Sequence, residues 1–189
     1  MSSFFAMTAR MKYINRWGLM NNTRYENISE HSLQVSMLAH ALCIFSNKRF
    51  GTSYDAEKAA VIGLYHDAGE IITGDMPTPI KYYNADIKSS YKEIERIAEE
   101  RLLSLLPEDI RGEYEEIVSP TDSELQKIVK AADKLSALIK CIEEVRMGNM
   151  EFSDAKASTE RSLSEMDLDC LDAFIAEFIP AFYKTLDEL

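Results

Sequence analysis

The chain has 189 residues, 46% of them hydrophobic, which suffices for one ordinary core and falls short of two. Gly and Pro supply only 7 and 5 residues, which excludes linker-rich or collagen-like architecture and favours helix. A formal charge of −11 argues against a nucleic-acid polymer as partner, because phosphate neutralisation carries most non-specific affinity. The charge is uneven: residues 1–50 hold six Lys or Arg against two Asp or Glu, and the rest hold 15 against 30. A small anionic ligand near the N-terminal third stays compatible with that split. The three cysteines, Cys43, Cys141 and Cys170, include no C-x-x-C pair and lie among apolar neighbours, so they read as inert core thiols. The longest stretch free of charge, His31–Asn47, spans 17 residues but carries His, Gln, Ser and Asn. It reads as a buried helix rather than a membrane span. With no signal peptide visible, the expected setting is the cytoplasm, with no membrane partner.

Phe4, Met7, Met11 and Ile14 recur at three- and four-residue steps and predict a first amphipathic helix. Asn21 to Arg24 reads as loop. Asn27 followed by Glu30 predicts an N-cap for a long apolar helix from about Ser29 to Ser46. Asp55 caps a third helix expected to run to about Ile72, and Thr73 to Pro79, with two prolines and a glycine, reads as loop. A fourth helix spans about Ile87–Leu106, and Pro107 is expected as the first residue of a short fifth. Thr121 with Glu124 predicts a capping box for a sixth helix, whose stripe is Leu125, Ile128, Ala132, Leu135, Ile139 and Ile142 and which ends near Gly148. Helices over about 151–165 and 167–188, the latter bent by Pro180, close the chain. No alternating strand pattern or internal repeat occurs. The expected fold class is all-α, a compact bundle of roughly eight helices in one domain, residues 1–189.

Three histidines carry most of the chemical information: His31, His40 and His66. His31 and His40 are nine positions apart on one helix, about 180° around it, so only one of them can face a given site. His66 and Asp67 adjoin near a helix end, and both can reach an ion beside it. Glu70 projects on the same side, four residues after His66. An imidazole, a carboxylate and a free carboxylate in this arrangement suit metal-assisted hydrolysis, with Glu70 moving the proton. Against this stands the plain reading of a C-terminal histidine beside a surface acid.

The order His31, His66-Asp67, Asp133 resembles the H…HD…D signature of HD-domain metal-dependent phosphohydrolases. Longer segments are similar to the YfbR-like bacterial 5′-deoxynucleotidase family: Ile14-Asn15-Arg16-Trp17, Glu26 to Ser32, His66 to Glu70, Thr73 to Lys81, Ala131-Ala132-Asp133, and the tail from Glu177 to Glu188. They cover essentially the whole chain in order.

The resemblance implies an HD-domain bundle and one divalent ion held by His31, His66, Asp67 and Asp133. This donor set suits Co²⁺ or Mn²⁺ first, and Fe²⁺ or Zn²⁺ as well. The implied reaction is hydrolysis of deoxyribonucleoside 5′-monophosphates to nucleoside and phosphate, selecting against ribonucleotides, by a homodimer. Glu70 and Asp67 take the catalytic roles, with Glu70 handling the proton. Arg16 forks onto phosphate oxygens, and Trp17 covers the sugar and leaves no space for a 2′-hydroxyl. Asp75, Met76, Pro77 and Thr78 form the nucleotide-contacting loop, in which Asp75 accepts from a sugar hydroxyl and Thr78 donates to phosphate. His31 and Asp133 also border the substrate, and Lys81 is an additional phosphate cation. The chain departs from the family pattern in having Gly18 for proline and Met76 for leucine. On the residues alone, helical periodicity does not single out Asp133, which lies roughly 120° from the centre of its helix's apolar stripe and reads as a solvated acid. Alternatives are an HD-type triphosphohydrolase or phosphodiesterase, and a non-catalytic nucleotide-binding helical module.

Overall fold

The computed structural model describes residues 1–81 and 83–189. Its α-helices are α1 (Phe4–Thr8), α2 (Ile28–Arg49), α3 (Ala56–Tyr65), α4 (Glu70–Thr73), α5 (Thr78–Lys81), α6 (Ala85–Leu103), α7 (Glu108–Val118), α8 (Ser123–Arg146), α9 (Ser153–Ser164) and α10 (Leu171–Phe178). Among the described residues there is no strand; one isolated antiparallel bridge joins Asn15 and Asn27. The all-α expectation holds, and α1 with its 3-10 continuation to Tyr13 makes an eighth unit beside the seven helices of eight residues or more.

The central element is α8. It is buried on more than one side, from Leu125 through Ile142, because α2, α3 and α9 all pack on it. The main core gathers Val35, Leu42, Ile62, Ile128, Leu135 and Ile139 around this axis. A second cluster, with Phe4, Ala68, Leu102 and Val118, seats the N-terminal helix. Ala68 is fully buried there, which pins the turn carrying its neighbour Asp67.

Several boundaries differ from the sequence expectation. The third helix stops at Tyr65 rather than Ile72. The His66 ring takes the Gly63 carbonyl at 2.8 Å, the acceptor that a continuing helix would give to the Asp67 N–H. The chain then tightens to three-residue spacing, with Ala68 N–H to Tyr65 O at 2.9 Å and Glu70 N–H to Asp67 O at 3.0 Å. The expected loop of residues 73–79 ends early, since Thr78 and Pro79 open α5, where a proline in the first turn sacrifices no hydrogen bond. Pro107 is the N-cap of α7, not its first residue. Asp122, not Thr121, caps α8, accepting from the Glu124 and Leu125 N–H groups, while Thr121 turns to Glu116. The last expected helix divides into α10 and 3-10 turns from Ile179, the first of them holding Pro180.

Candidate metal centre

Two helix contacts bring two imidazoles together. Asn27 caps α2, its Oδ1 accepting from Ser29 N–H at 3.0 Å and Glu30 N–H at 3.1 Å, which fixes the first turn and His31 within it. His31 is fully buried and His40 is exposed, as their nine-residue spacing requires. Helix α3 presses on α2 at Gly63, where a Cβ would stand 2.9 Å from Ser36 Cα. This close approach carries His66 toward His31, and the ring centroids lie 5.2 Å apart.

Carboxylates complete the cluster. Asp67 Oδ2 lies 3.2 Å from His66 Nε2 and 3.5 Å from His31 Nε2, and Asp133 Oδ1 lies 3.1 Å from His31 Nε2. One ligand atom each from His31, His66 and Asp133 falls within 4.8 Å of the others. Both Nε2 atoms are buried and, among the described residues, make no hydrogen bond of good geometry despite these short approaches. Orphaned nitrogens cost free energy in a folded protein, and a cation facing them removes that cost. Among these residues the donors therefore fit a divalent ion.

The outer nitrogens favour the same arrangement. His66 Nδ1–H donates to the Gly63 carbonyl, so once an ion displaces the proton on Nε2 that lone pair would be directed inward. His31 Nδ1 lies 3.0 Å from Ser136 Oγ, whose own hydroxyl donates to Gln34 Oε1 at 2.6 Å. A serine that donates onward has lone pairs left for the His31 Nδ1–H. Arg16 Nη1 also approaches His31 Nδ1, at 2.8 Å. Donation from Arg16 would place the imidazole proton on Nε2 and oppose ligation, so ion binding selects the Ser136 arrangement.

The charges interlock. Burial would raise the Asp67 carboxyl, but His66, His31 and Arg16 outweigh it and hold the group well below the carboxylate range. Burial likewise opposes ionisation of Asp133, and His31 and His66 outweigh it. Burial lowers His31, reinforced by Arg16, whereas His66 is raised because Asp67 and Asp133 overcome its burial. The ion-free cluster thus keeps one imidazole protonated where a divalent cation would balance the same carboxylates.

Glu70 stands apart from the ligand set. Its Oε2 is buried without a hydrogen-bond partner, and burial, with Asp67 and Asp75 adding to it, pushes the carboxyl up to about 9. Burial would lower the Arg16 guanidinium, but Glu26, Asp133, Asp67 and Asp75 keep it more firmly protonated. Asp75 is raised by burial, moderated by Arg16 and by the Trp17 backbone N–H. Trp17 is half-buried against Phe152, with ring centroids 5.3 Å apart. Met76 and Pro77 are half-buried and Thr78 is exposed at the start of α5. Lys81 pairs with Glu95 at 2.6 Å and lies over the Tyr91 ring, so it faces α6 as well as the loop. A cavity of about 470 Å³ opens beside the cluster, reaching His66, Asp133, Glu95, Glu99 and Lys130.

The model of the YfbR-like 5′-deoxynucleotidases matches residues 3–182. The chain belongs to this family. A 5′-deoxynucleotidase of Pectobacterium atrosepticum is 48% identical over 190 aligned positions, covering 100% of this chain and 96% of the relative. The 5′-deoxynucleotidase YfbR of Salmonella paratyphi B is 47% identical over the same shares. Among solved structures, an HD-domain phosphohydrolase from Listeria innocua superimposes with a TM-score of 0.83 at 20% identity, covering 95% of this chain and 88% of that one. The HD phosphohydrolase of cyanophage S-2L, bound to dA and one catalytic Zn²⁺ ion, gives 0.65 at 23% identity, covering 95% and 96%. At these identities the structural likenesses establish the HD fold, and the sequence relatives establish a phosphohydrolase family.

The YfbR-like chain also places near the cluster residues that the sequence did not single out. Gly63 carried no turn signal, because it sits inside a helix. Ser136 and Gln34 are ordinary polar residues by pattern, and Glu26 falls in a family-like segment with no role of its own. Each acts through a contact between segments distant in sequence, which periodicity does not report.

Proposed function

We propose that the chain, as one domain over residues 1–189, hydrolyses deoxyribonucleoside 5′-monophosphates to deoxyribonucleoside and phosphate, selecting against ribonucleotides. The observation that carries this reading is the pair of orphaned imidazole Nε2 atoms facing Asp67 and Asp133, with Arg16 and Glu70 at the edge of the same cluster. Family membership supplies the substrate class. His31, His66, Asp67 and Asp133 would hold one divalent ion, Co²⁺ or Mn²⁺ by preference, with Fe²⁺ or Zn²⁺ also suited. When bound, the ion supplies Lewis-acid stabilisation of the phosphoryl group and activation of water.

The chain's own groups do the rest. Arg16 binds two phosphate oxygens and neutralises charge that grows on them during in-line attack. Water adds to phosphorus, the bond from phosphorus to the 5′-oxygen breaks, and a proton finishes on that oxygen. Glu70 manages this proton at its carboxyl. Burial, with Asp67 and Asp75, pushes this carboxyl up to about 9 in the ion-free chain, and a positioned carboxyl can give or take the proton. Trp17 covers the sugar, Asp75 accepts from a sugar hydroxyl and Thr78 donates to phosphate. Lys81 adds positive charge at the rim.

The reading includes a homodimer working in the cytoplasm. Leu33, Met37 and Ile44 are exposed in succession along α2, an apolar strip that a second copy would cover. No helix among the described residues is long and apolar enough to cross a membrane. Glu70→Gln tests the mechanism. It should keep one ion per chain and bind dAMP while losing most phosphate release, and full turnover would remove Glu70 from its role.

A further inference from the structure

Glu26 is used by neither the ligand set nor the proton path, yet one of its oxygens joins two groups of the proposed site. Glu26 Oε2 accepts from Arg16 Nη1 at 2.8 Å and from Trp17 Nε1 at 3.1 Å. The Arg16 and Glu26 side chains are each 13% exposed, so the pair is shielded from competing water. We infer that Glu26 is the positioning residue that locks Arg16 and Trp17 into one unit, so that a single carboxylate sets both phosphate and sugar recognition. The inference rests on the deoxynucleotidase reading above and extends it to the origin of sugar selectivity.

The surrounding backbone is built for this purpose. Arg16 N–H donates to Glu26 O at 3.0 Å and Ile28 N–H to Ile14 O at 3.0 Å, so the two segments are clamped beside the carboxylate. Trp17 adopts φ of 60°, the left-handed region that a bulky residue enters only when its surroundings hold it there. Its carbonyl accepts from Met20 N–H at 2.9 Å and Asn22 Nδ2 at 3.2 Å. The far end of this loop is tied down by Glu144, which accepts from Thr23 N–H at 2.9 Å and Arg24 N–H at 3.2 Å. With the backbone fixed, the indole still needs a partner to set its angle over Phe152, and Glu26 provides it.

Arg16 needs the same restraint for a different reason. Its guanidinium is drawn toward His31 Nδ1 at 2.8 Å and Asp133 at 3.9 Å. Without Glu26 the nearest counter-charges are the carboxylates of the metal cluster, and Arg16 would fold onto them instead of meeting phosphate. Glu26 thus anchors Arg16 Nη1 at 2.8 Å, while Nη2 approaches Asp133 only to 3.9 Å.

The test uses the ion-loaded full chain. Glu26→Gln keeps the shape and removes the charge, and Trp17→Phe keeps a ring and removes the N–H donor. Steady-state kinetics with dAMP and AMP should show Glu26→Gln raising KM for dAMP about tenfold or more, the loss typical of a charge-assisted hydrogen bond. The preference for dAMP over AMP should narrow by roughly fivefold or more, with ion content unchanged. Emission from Trp17, the one tryptophan, should shift to the red as the indole is released. Trp17→Phe should narrow the preference too, and the double variant should lose less preference than the two single losses multiplied, because both changes act on the Glu26–Trp17 contact. A merely structural role would lower the yield of folded protein and leave KM, preference and emission in place. A folded Glu26→Gln with KM and preference within twofold of the parent overturns the inference, as does full additivity in the double variant. If Glu26→Gln does not fold, Glu26→Asp, which keeps the charge and withdraws it from both donors, decides, and a KM and preference within twofold of the parent there overturn the inference. A parent chain that hydrolyses neither nucleotide removes the underlying reading and this inference together. An active parent with an unmoved variant removes the inference alone.

Discussion

Gly63→Ala probes the helix contact that assembles the metal cluster. The added Cβ would lie 2.9 Å from Ser36 Cα, 3.0 Å from Ser36 N and 3.3 Å from Val35 C. All three are backbone atoms, so no rotamer change relieves the clash. Carbon atoms settle at about 3.5–4.0 Å, so α3 must withdraw from α2 by roughly 0.5–1 Å. Overpacking of this kind costs about 1–3 kcal/mol, partly offset by about 1 kcal/mol gained in helix propensity. The net loss of stability is therefore modest, about 0–2 kcal/mol. The effect on the ion site is larger, because ligand distances tolerate only about ±0.2 Å and His66 moves with α3 while His31 stays on α2. Isothermal titration with Co²⁺ or Zn²⁺ should show affinity falling at least about tenfold, the scale seen when a ligand's supports are disturbed. Thermal unfolding of the ion-free protein should change little. Parental ion affinity in Gly63→Ala would refute the claim that this close approach sets the distance between the two imidazoles.

Ser136→Ala should weaken ion binding by about 10–100-fold, because His31 Nδ1 loses the acceptor that leaves Nε2 free, and Ser136→Thr should restore most of it. Titration with Zn²⁺ checks this, and equal affinity in all three proteins would discard the Gln34–Ser136–His31 relay. Glu144 should set acid stability. Burial opposes its ionisation, but Lys140, Thr23 and Asn149 outweigh burial and hold it at about 2. Its folded value lies below its unfolded one, so its contribution is complete at neutral pH and drains away as pH falls from about 5 toward 2. Urea unfolding across that range should show Glu144→Gln about 3 kcal/mol less stable at pH 7, since the buried Lys140 loses its counter-charge and keeps only the Arg24 carbonyl and the Phe152 ring, with the gap closing in acid. A gap that stays constant with pH would contradict this.

Much of the site was legible in the sequence because its parts are local. The Asn27 and Asp55 caps, the adjacency of His66 and Asp67, and the opposition of His31 and His40 depend only on spacing along one helix. The end of α3 was not legible, because the His66 ring captures a main-chain acceptor, which helix periodicity does not encode. Asp133 reads as a solvated acid on a helix with one apolar face, which α8 is not. It is packed on several sides, and Asp133 and Ser136, three residues apart, flank the two nitrogens of one imidazole from another helix. Lys140 and Glu144 follow the spacing of a surface ion pair, yet both are buried, 5% and 1% exposed, because the loop of residues 21–25 folds over them. Family resemblance supplied Asp133 where the pattern did not.

The central claim is metal-dependent hydrolysis of deoxynucleotides at the His31–His66–Asp67–Asp133 cluster. It is tested most directly by phosphate release from dAMP and AMP, measured side by side after chelator stripping and restoration of Co²⁺, Mn²⁺, Mg²⁺ or Zn²⁺ singly. Release from dAMP should vanish on stripping, return with Co²⁺ or Mn²⁺, and be far weaker from AMP. Equal release from both nucleotides would contradict the role of Trp17, and no release with any ion from folded protein would contradict the account itself.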